Sequence, residues 1–108
     1  MAHVHVTLRY FDGCPSWRTA DERVREALER TGRTDVELRY ERVETQADAE
    51  RLAFVGSPTI LVDGVDPFAV ADAPSGLACR VYPTPEGLRG CPTVDQLVAV
   101  LAAAVPPT

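Results

Sequence analysis

Three cysteines, Cys14, Cys79 and Cys91, carry most of the chemistry this chain can offer. Cys14 lies in Tyr10-Phe11-Asp12-Gly13-Cys14-Pro15-Ser16-Trp17, between an apolar alternation that begins at Val4 and a helical pattern that runs through Arg30. It stands where a helix begins. The first turn of a helix has unpaired N–H groups and a partial positive charge. A thiolate held there is stabilised and becomes a usable nucleophile near neutral pH. Pro15 suits the first helical position, which loses nothing by lacking an N–H, and Asp12-Gly13 supplies a turn. The competing reading is a small buried thiol that packs as a hydrophobe. An odd count of three cysteines does not make a disulfide scaffold. In a reducing compartment a disulfide among them is expected to be catalytic rather than structural.

The remaining polar candidates have plainer readings. His3 and His5 share one face of the first strand, but an extended chain puts His5 up to roughly 30 Å from Cys14, so they read as exposed positions at a strand start. Asp12 reads as a turn former before a proton acceptor. Asp63-Gly64-Val65-Asp66 lacks the ligands a calcium site needs. No resident metal or cofactor is expected. Trp17 opens the apolar stripe of the first helix, as core or as a lid beside Cys14.

These residues need elements to position them. Val4, Val6, Leu8 and Tyr10 alternate with polar residues, a strand signal. The helix that follows covers about Pro15 to Thr31, with Trp17, Ala20, Val24, Ala27 and Leu28 on one stripe and Gly32 as its stop. Asp35 to Val43 alternates between an apolar and a charged face, as an edge strand with one solvated side does. Thr45 and Asp48 cap a short helix through about Phe54. Thr59-Ile60-Leu61-Val62 is a continuous apolar run, read as a central strand. Val65 to Gly76 reads as a loop, Leu77 to Tyr82 as a fourth strand, and Pro83 to Pro92 as a loop. Thr93-Val94-Asp95-Gln96 is a capping box. It opens a last helix with Val94, Leu97, Val98, Leu101 and Val105 on one stripe and Pro106-Pro107 as its stop.

A chain of 108 residues is expected to form one domain over residues 1–108 with a single core. Its net charge of −5 with no basic tract argues against nucleic acid as a partner. The N-terminus shows no signal segment and no run approaches ~18 apolar residues. A cytoplasmic chain with no membrane partner is expected.

The order strand, helix, strand, helix, strand, strand, helix resembles the thioredoxin-like fold in its small, glutaredoxin-sized form. Two marks carry the resemblance: Cys14 at the head of the first helix, and Ser57-Pro58-Thr59, where Pro58 stands in the place of the family's cis-proline before the third strand. The resemblance implies an α/β fold with a four-stranded mixed sheet of order 2-1-3-4 and three helices. It places Pro58 opposite Cys14, where Ser57 and Pro58 shape a substrate groove beside Trp17. It also places Gly90-Cys91-Pro92-Thr93 where glutaredoxins hold the carboxylate of glutathione, and the N–H groups of a helix start favour an anion.

The chain departs from the dithiol pattern, because Trp17 stands where the second cysteine of Cys-x-x-Cys belongs. Release of a mixed disulfide then falls to an external small thiol, in a monothiol mechanism, or to a distant cysteine. Cys91 is the favoured distant partner. Cys79, on the fourth strand, falls about 10 Å short of the active end at ~3.4 Å per residue, unless the preceding loop shortens that strand. The expected function is a thiol–disulfide oxidoreductase working through Cys14, with a low-molecular-weight thiol or a protein disulfide as partner. The alternative is a thiolate module for a soft ion, such as mercury, copper or zinc, or for an iron–sulfur cluster. The chain is also similar to small bacterial thioredoxin-like proteins associated with alkylmercury lyase, although Trp17 replaces the acid expected near the first cysteine. A third reading is a thioredoxin-like fold used only for protein contacts.

Overall fold

The alternation at the N-terminus becomes β1 (Val4–Tyr10), the strand on which the other elements are laid. In this computed structural model, residues 3–71 and 73–105 are described. After β1 come α1 (Ser16–Thr31), β2 (Val36–Arg42), α2 (Gln46–Arg51), β3 (Thr59–Val62), β4 (Tyr82–Thr84), β5 (Gly87–Arg89) and α3 (Val94–Ala103). β2 runs parallel to β1, with Val4 opposite Val36 and Tyr10 opposite Arg42. β3 runs antiparallel on the other side, with Val6 opposite Val62 and Arg9 opposite Thr59. The protein is an α/β fold with a three-stranded mixed sheet of order β2-β1-β3 and three helices.

The expected fourth sheet strand is corrected here. β4 and β5 pair with each other as a separate hairpin, Tyr82 opposite Arg89 and Thr84 opposite Gly87. Of Leu77 to Tyr82, only Tyr82 lies in a strand. The stretch before it makes a single parallel bridge, Cys79 to Ser57. The Ser57 N–H donates to the Ala78 carbonyl at 2.8 Å, and the Arg80 N–H donates to the Ser57 carbonyl at 2.9 Å. Gly56 permits this approach: its φ is +122°, and a Cβ there would lie 3.0 Å from the Arg80 Cβ and 3.2 Å from the Ala78 oxygen. The segment therefore pairs with the chain at Ser57, just ahead of β3, and does not continue along β3.

Val4, Val6 and Leu8 are sealed beneath Ala20, Val24 and Ala27 of α1 and Leu97 and Leu101 of α3, with Ile60 and Cys91 in the same core. Each large aliphatic side chain buried here contributes roughly 1.5–3 kcal/mol. A second core gathers Val43, Ala49 and Phe54 with Phe11, Leu52 and Leu77. Local signals end the helices. Gly32 adopts φ 66° and donates its N–H to the Glu29 carbonyl. Thr45 accepts from the Asp48 N–H, and Thr93 and Gln96 close a capping box. α2 is shorter than expected, because Ala53 turns to φ 52° and Phe54 enters the second core. α3 ends at Ala103, and Pro106 and Pro107 lie outside the described residues. Among the described residues no helix is long and apolar enough to cross a membrane.

Candidate functional site

Cys14 sits two residues before α1, its N–H donating to the Phe11 carbonyl at 3.2 Å. Its side chain is fully sealed, at 0% exposure. The thiol donates to the Ser57 carbonyl at 3.3 Å and receives a hydrogen bond from the Cys79 thiol at 3.2 Å between sulfurs. Cys79 itself is exposed. The two thiols form a short relay from the surface inwards: Cys79, Cys14, then the Ser57 carbonyl.

Cys79 does not fall about 10 Å short of Cys14, and the exception named for it, a strand shortened by the loop before it, is what the structure has. That distance assumed an extended strand from Leu77. Because the preceding segment stays outside the sheet, Cys79 is held alongside Ser57 and against Cys14. The two bonds between Ser57 and residues 78 and 80 fix it from both sides. The Cys79 thiol holds its proton to higher pH than an ordinary thiol, first through its hydrogen bond to Cys14, then through burial and the charge of Cys14.

Ser57 is the hub of the site. It is fully buried, its Oγ accepts from the Phe11 N–H at 3.3 Å, and its peptide bond to Pro58 is cis. The Pro58 carbonyl accepts from the Tyr82 hydroxyl. Tyr82 is buried, and burial pushes its hydroxyl pKa well above the usual phenol range, partly offset by Arg80.

Arg80 and Asp66 anchor the Cys79 segment. The Arg80 guanidinium is 8% exposed. It donates to Asp66 from both terminal nitrogens, at 2.6 and 3.3 Å, to the Phe68 carbonyl at 2.7 Å and to the Thr59 hydroxyl at 3.4 Å. It also lies 4.5 Å from the centre of the Tyr82 ring. Such a pair needs many hydrogen bonds to offset the cost of desolvation, and this one has them. Sequence reading did not single out Arg80. The available signal was a charge inside the apolar run Leu77-Ala78-Cys79-Arg80-Val81-Tyr82, where a buried charge requires a partner.

Cys91 is placed differently. It is 4% exposed, inside the main core. Its sulfur accepts from Arg23 at 3.3 Å, and the same guanidinium nitrogen donates to the Pro92 carbonyl at 3.0 Å. Burial raises its pKa, and Arg23 offsets part of that rise. The structure thus brings Cys14, Ser57 and Pro58 together with Cys79, while Cys91 answers to Arg23. Trp17 stacks on Tyr10, with ring centres 4.2 Å apart, and packs against the main core. Thr93 spends its hydroxyl and its N–H on Gln96.

Among the described residues no group of three His, Cys, Asp or Glu side chains could hold a metal. Asp63 accepts from the His5 N–H and Asp66 is engaged by Arg80. Two free thiols in contact can join as a disulfide or share a two-coordinate soft ion. No protein-family model, curated protein or solved structure matches the chain.

Proposed function

We propose that this chain is a thioredoxin-like thiol–disulfide oxidoreductase whose exchanging pair is Cys14 and Cys79. The observation that carries the reading is the 3.2 Å contact between the sulfurs of the sealed Cys14 and the exposed residue Cys79. The element order and the Ser57–Pro58 corner beside Cys14 support the thioredoxin-like assignment. A monothiol route through Cys14 alone requires that sulfur to meet a substrate directly, and its complete burial argues against this.

The exposed thiol is the entrance. The Cys79 thiolate attacks one sulfur of a disulfide R–S–S–R′; that S–S bond breaks, and R′–S⁻ leaves and takes a proton from water. Cys14 attacks the Cys79 sulfur in the mixed disulfide, and its proton passes to the departing sulfur. The Cys79–S–R bond breaks, R–S⁻ leaves and is protonated, and Cys14 and Cys79 are joined. Two electrons have passed from the thiol pair to the substrate. A dithiol, or two small thiols in turn, restores the reduced pair by the reverse steps. The sulfurs close from 3.2 Å to about 2.05 Å, a movement that a change of the exposed Cys79 side chain supplies.

The test is non-reducing digestion after treatment of the reduced protein with a small disulfide. A linked pair of peptides containing Cys14 and Cys79, with Cys91 still alkylatable, is the expected product. A linkage through Cys91, or no linkage, overturns the reading.

A second reading keeps the same two thiols and replaces exchange with capture of a soft ion. Among the described residues the two sulfurs have no third acidic or imidazole ligand, and such a pair suits a linear, two-coordinate ion such as copper(I) or mercury(II), and not four-coordinate zinc. Equimolar binding that requires both cysteines, in a protein that reduces no disulfide, selects this reading.

A further inference from the structure

Every backbone polar group of the Ser57–Pro58 corner beside Cys14 is engaged. The Ser57 N–H donates to the Ala78 carbonyl at 2.8 Å. The Ser57 carbonyl accepts from the Arg80 N–H at 2.9 Å and from the Cys14 thiol at 3.3 Å. The Pro58 carbonyl accepts from the Tyr82 hydroxyl. Two of these bonds come from one short segment, Ala78 to Arg80, which lies beside Ser57 as a single parallel bridge. An exposed strand edge takes an added chain in this way: main-chain bonds form on either side of one residue, and that residue is presented to the edge. The presented residue is Cys79, whose sulfur lies 3.2 Å from that of Cys14. Residues 78–80 hold the place, and make the pairing, that a partner's chain carrying a cysteine would make.

The segment is a thin cover. Ala78 and Cys79 are exposed, and Val81 is 60% exposed. What lies beneath is sealed, with Cys14 and Ser57 both at 0%. One side chain clasps the cover. Neighbouring side chains of an extended segment point opposite ways, so Arg80, drawn in to Asp66, Phe68 and Thr59, turns Cys79 onto Cys14. Upstream, Leu77 packs on the second core and the Gly76 N–H donates to the Phe54 carbonyl at 2.9 Å. A segment with so little buried belongs to the part of a fold that opens first. Being tethered, it competes with a free peptide at an effective concentration in the millimolar range.

We propose that Ala78–Arg80 is an autoinhibitory strap over a docking edge for an extended, cysteine-bearing chain of another protein, with the Arg80–Asp66 pair as its clasp. The proposal rests on Cys14 and Cys79 being the exchanging pair. With the strap in place, only a disulfide that reaches Cys79 is accepted. With the strap displaced, the partner's chain pairs with Ser57 and its cysteine lies against Cys14. The residue after that cysteine supplies the N–H that Arg80 now supplies, so it is not proline. Cys14 attacks the partner's sulfur; the partner's disulfide breaks, and its other sulfur leaves with the Cys14 proton. As the strap returns, Cys79 attacks the Cys14 sulfur, the bond to the partner breaks, and the partner's sulfur leaves with the Cys79 proton. The partner gains two electrons and the pair is left joined.

The test isolates Cys14 in Cys79→Ser, which keeps both main-chain bonds to Ser57. Three disulfides with the same thiopyridyl leaving group are compared: a methyl disulfide, an extended peptide whose single cysteine is followed by alanine, and the same peptide with proline after the cysteine. Attack by Cys14 releases thiopyridone, which is followed by absorbance, and mass spectrometry assigns the modified cysteine. Each rate is divided by that for an unstructured peptide with one cysteine. In Cys79→Ser all three normalised rates are expected at about a hundredth or less. Adding Gly56→Ala, which pushes at both Ala78 and Arg80, or Arg80→Met/Asp66→Leu, which removes the clasp, should raise the alanine peptide about tenfold above the other two, equivalent to ~1.4 kcal/mol. Equal gains for all three reagents in a variant whose melt stays cooperative, or no gain, overturn the proposal. Cys79→Ser needs no further change to refute it: a Cys14 rate near that of the unstructured peptide, or an alanine peptide already ahead of the methyl reagent, means that nothing is shut out. The exchange reading is judged separately, by linkage of Cys14 to Cys79 in the wild type. If the peptide preference appears and the pair never links, the exchange fails and the strap survives. If the pair links and no preference appears, the exchange survives and the strap fails.

Discussion

Cys14 and Cys91 are both sealed from solvent, at 0% and 4% exposure, and both lie within three residues of a helix start. Their neighbours separate them. Cys14 touches a second sulfur at 3.2 Å, whereas Cys91 touches a guanidinium at 3.3 Å. A thiol beside an exposed thiol has a route for electrons to the surface. A thiol beside an arginine, in a hydrocarbon core, has a hydrogen-bond partner and nothing to react with. Position relative to a helix is common to both; the partner decides the chemistry.

The sharpest way to break this contrast is to remove each sulfur in turn. Cys14→Ser and Cys79→Ser are both expected to reduce disulfide turnover by ~100-fold or more, because exchange requires both thiols. They differ in what accumulates: Cys14→Ser traps a mixed disulfide on Cys79, and Cys79→Ser traps none. Cys91→Ser is expected to leave turnover within about twofold. An equal loss in Cys91→Ser would erase the distinction between the two sealed thiols.

The next effect is on stability. Arg80→Met strands the Asp66 carboxylate, 15% exposed, and is expected to cost about 3–5 kcal/mol in urea unfolding. The double variant Arg80→Met/Asp66→Leu, which strands no charge, should recover part of that loss. Gly56→Ala forces a side chain into φ +122° against Arg80. It is expected to cost ~1–3 kcal/mol and to slow Cys14–Cys79 bonding, since the Cys79 segment loses its seat. Cys91→Ala trims the core only, and should cost about 1–2 kcal/mol with no change in bonding rate.

The smallest effect sharpens the pair itself. The hydrogen bond to Cys14 and the charge of Cys14 both hold the Cys79 proton on. A thiol whose pKa is raised has less thiolate at a given pH, so alkylation of Cys79 should inflect above the ordinary ~8.5. Cys14→Ala removes both causes, and the inflection should move to lower pH. A profile that stays in place would mean the sulfurs do not interact in solution.

Local signals were legible in the sequence. The Val4 to Tyr10 alternation, the Thr59 to Val62 run, the Gly32 stop and the Thr93–Gln96 box each depend on residues a few positions apart, and each lies where its pattern puts it. Cys79 was not legible, because its place depends on contacts between distant residues. Arg80 to Asp66 spans 14 positions and Cys14 to Cys79 spans 65, and no periodicity encodes either. The apolar run Leu77 to Tyr82 has strand composition, but Gly56 admits it beside Ser57 and Arg80 draws it towards Asp66. Sequence reading placed Cys14, Ser57 and Pro58 at one end of the fold. It favoured Cys91 over Cys79 as a distant partner, because a helix start is visible in sequence and a bridge between distant segments is not.

The 65 positions between Cys14 and Cys79 have a thermodynamic consequence. A covalent link between them would tie 65 residues into a ring, and the loss of freedom in the unfolded chain is worth about 4 kcal/mol. For a chain near 100 residues, each kcal/mol moves the melting temperature by ~4–8 °C. Heat resistance would then fall as electrons are supplied, the oxidised and linked protein surviving temperatures that melt the reduced one.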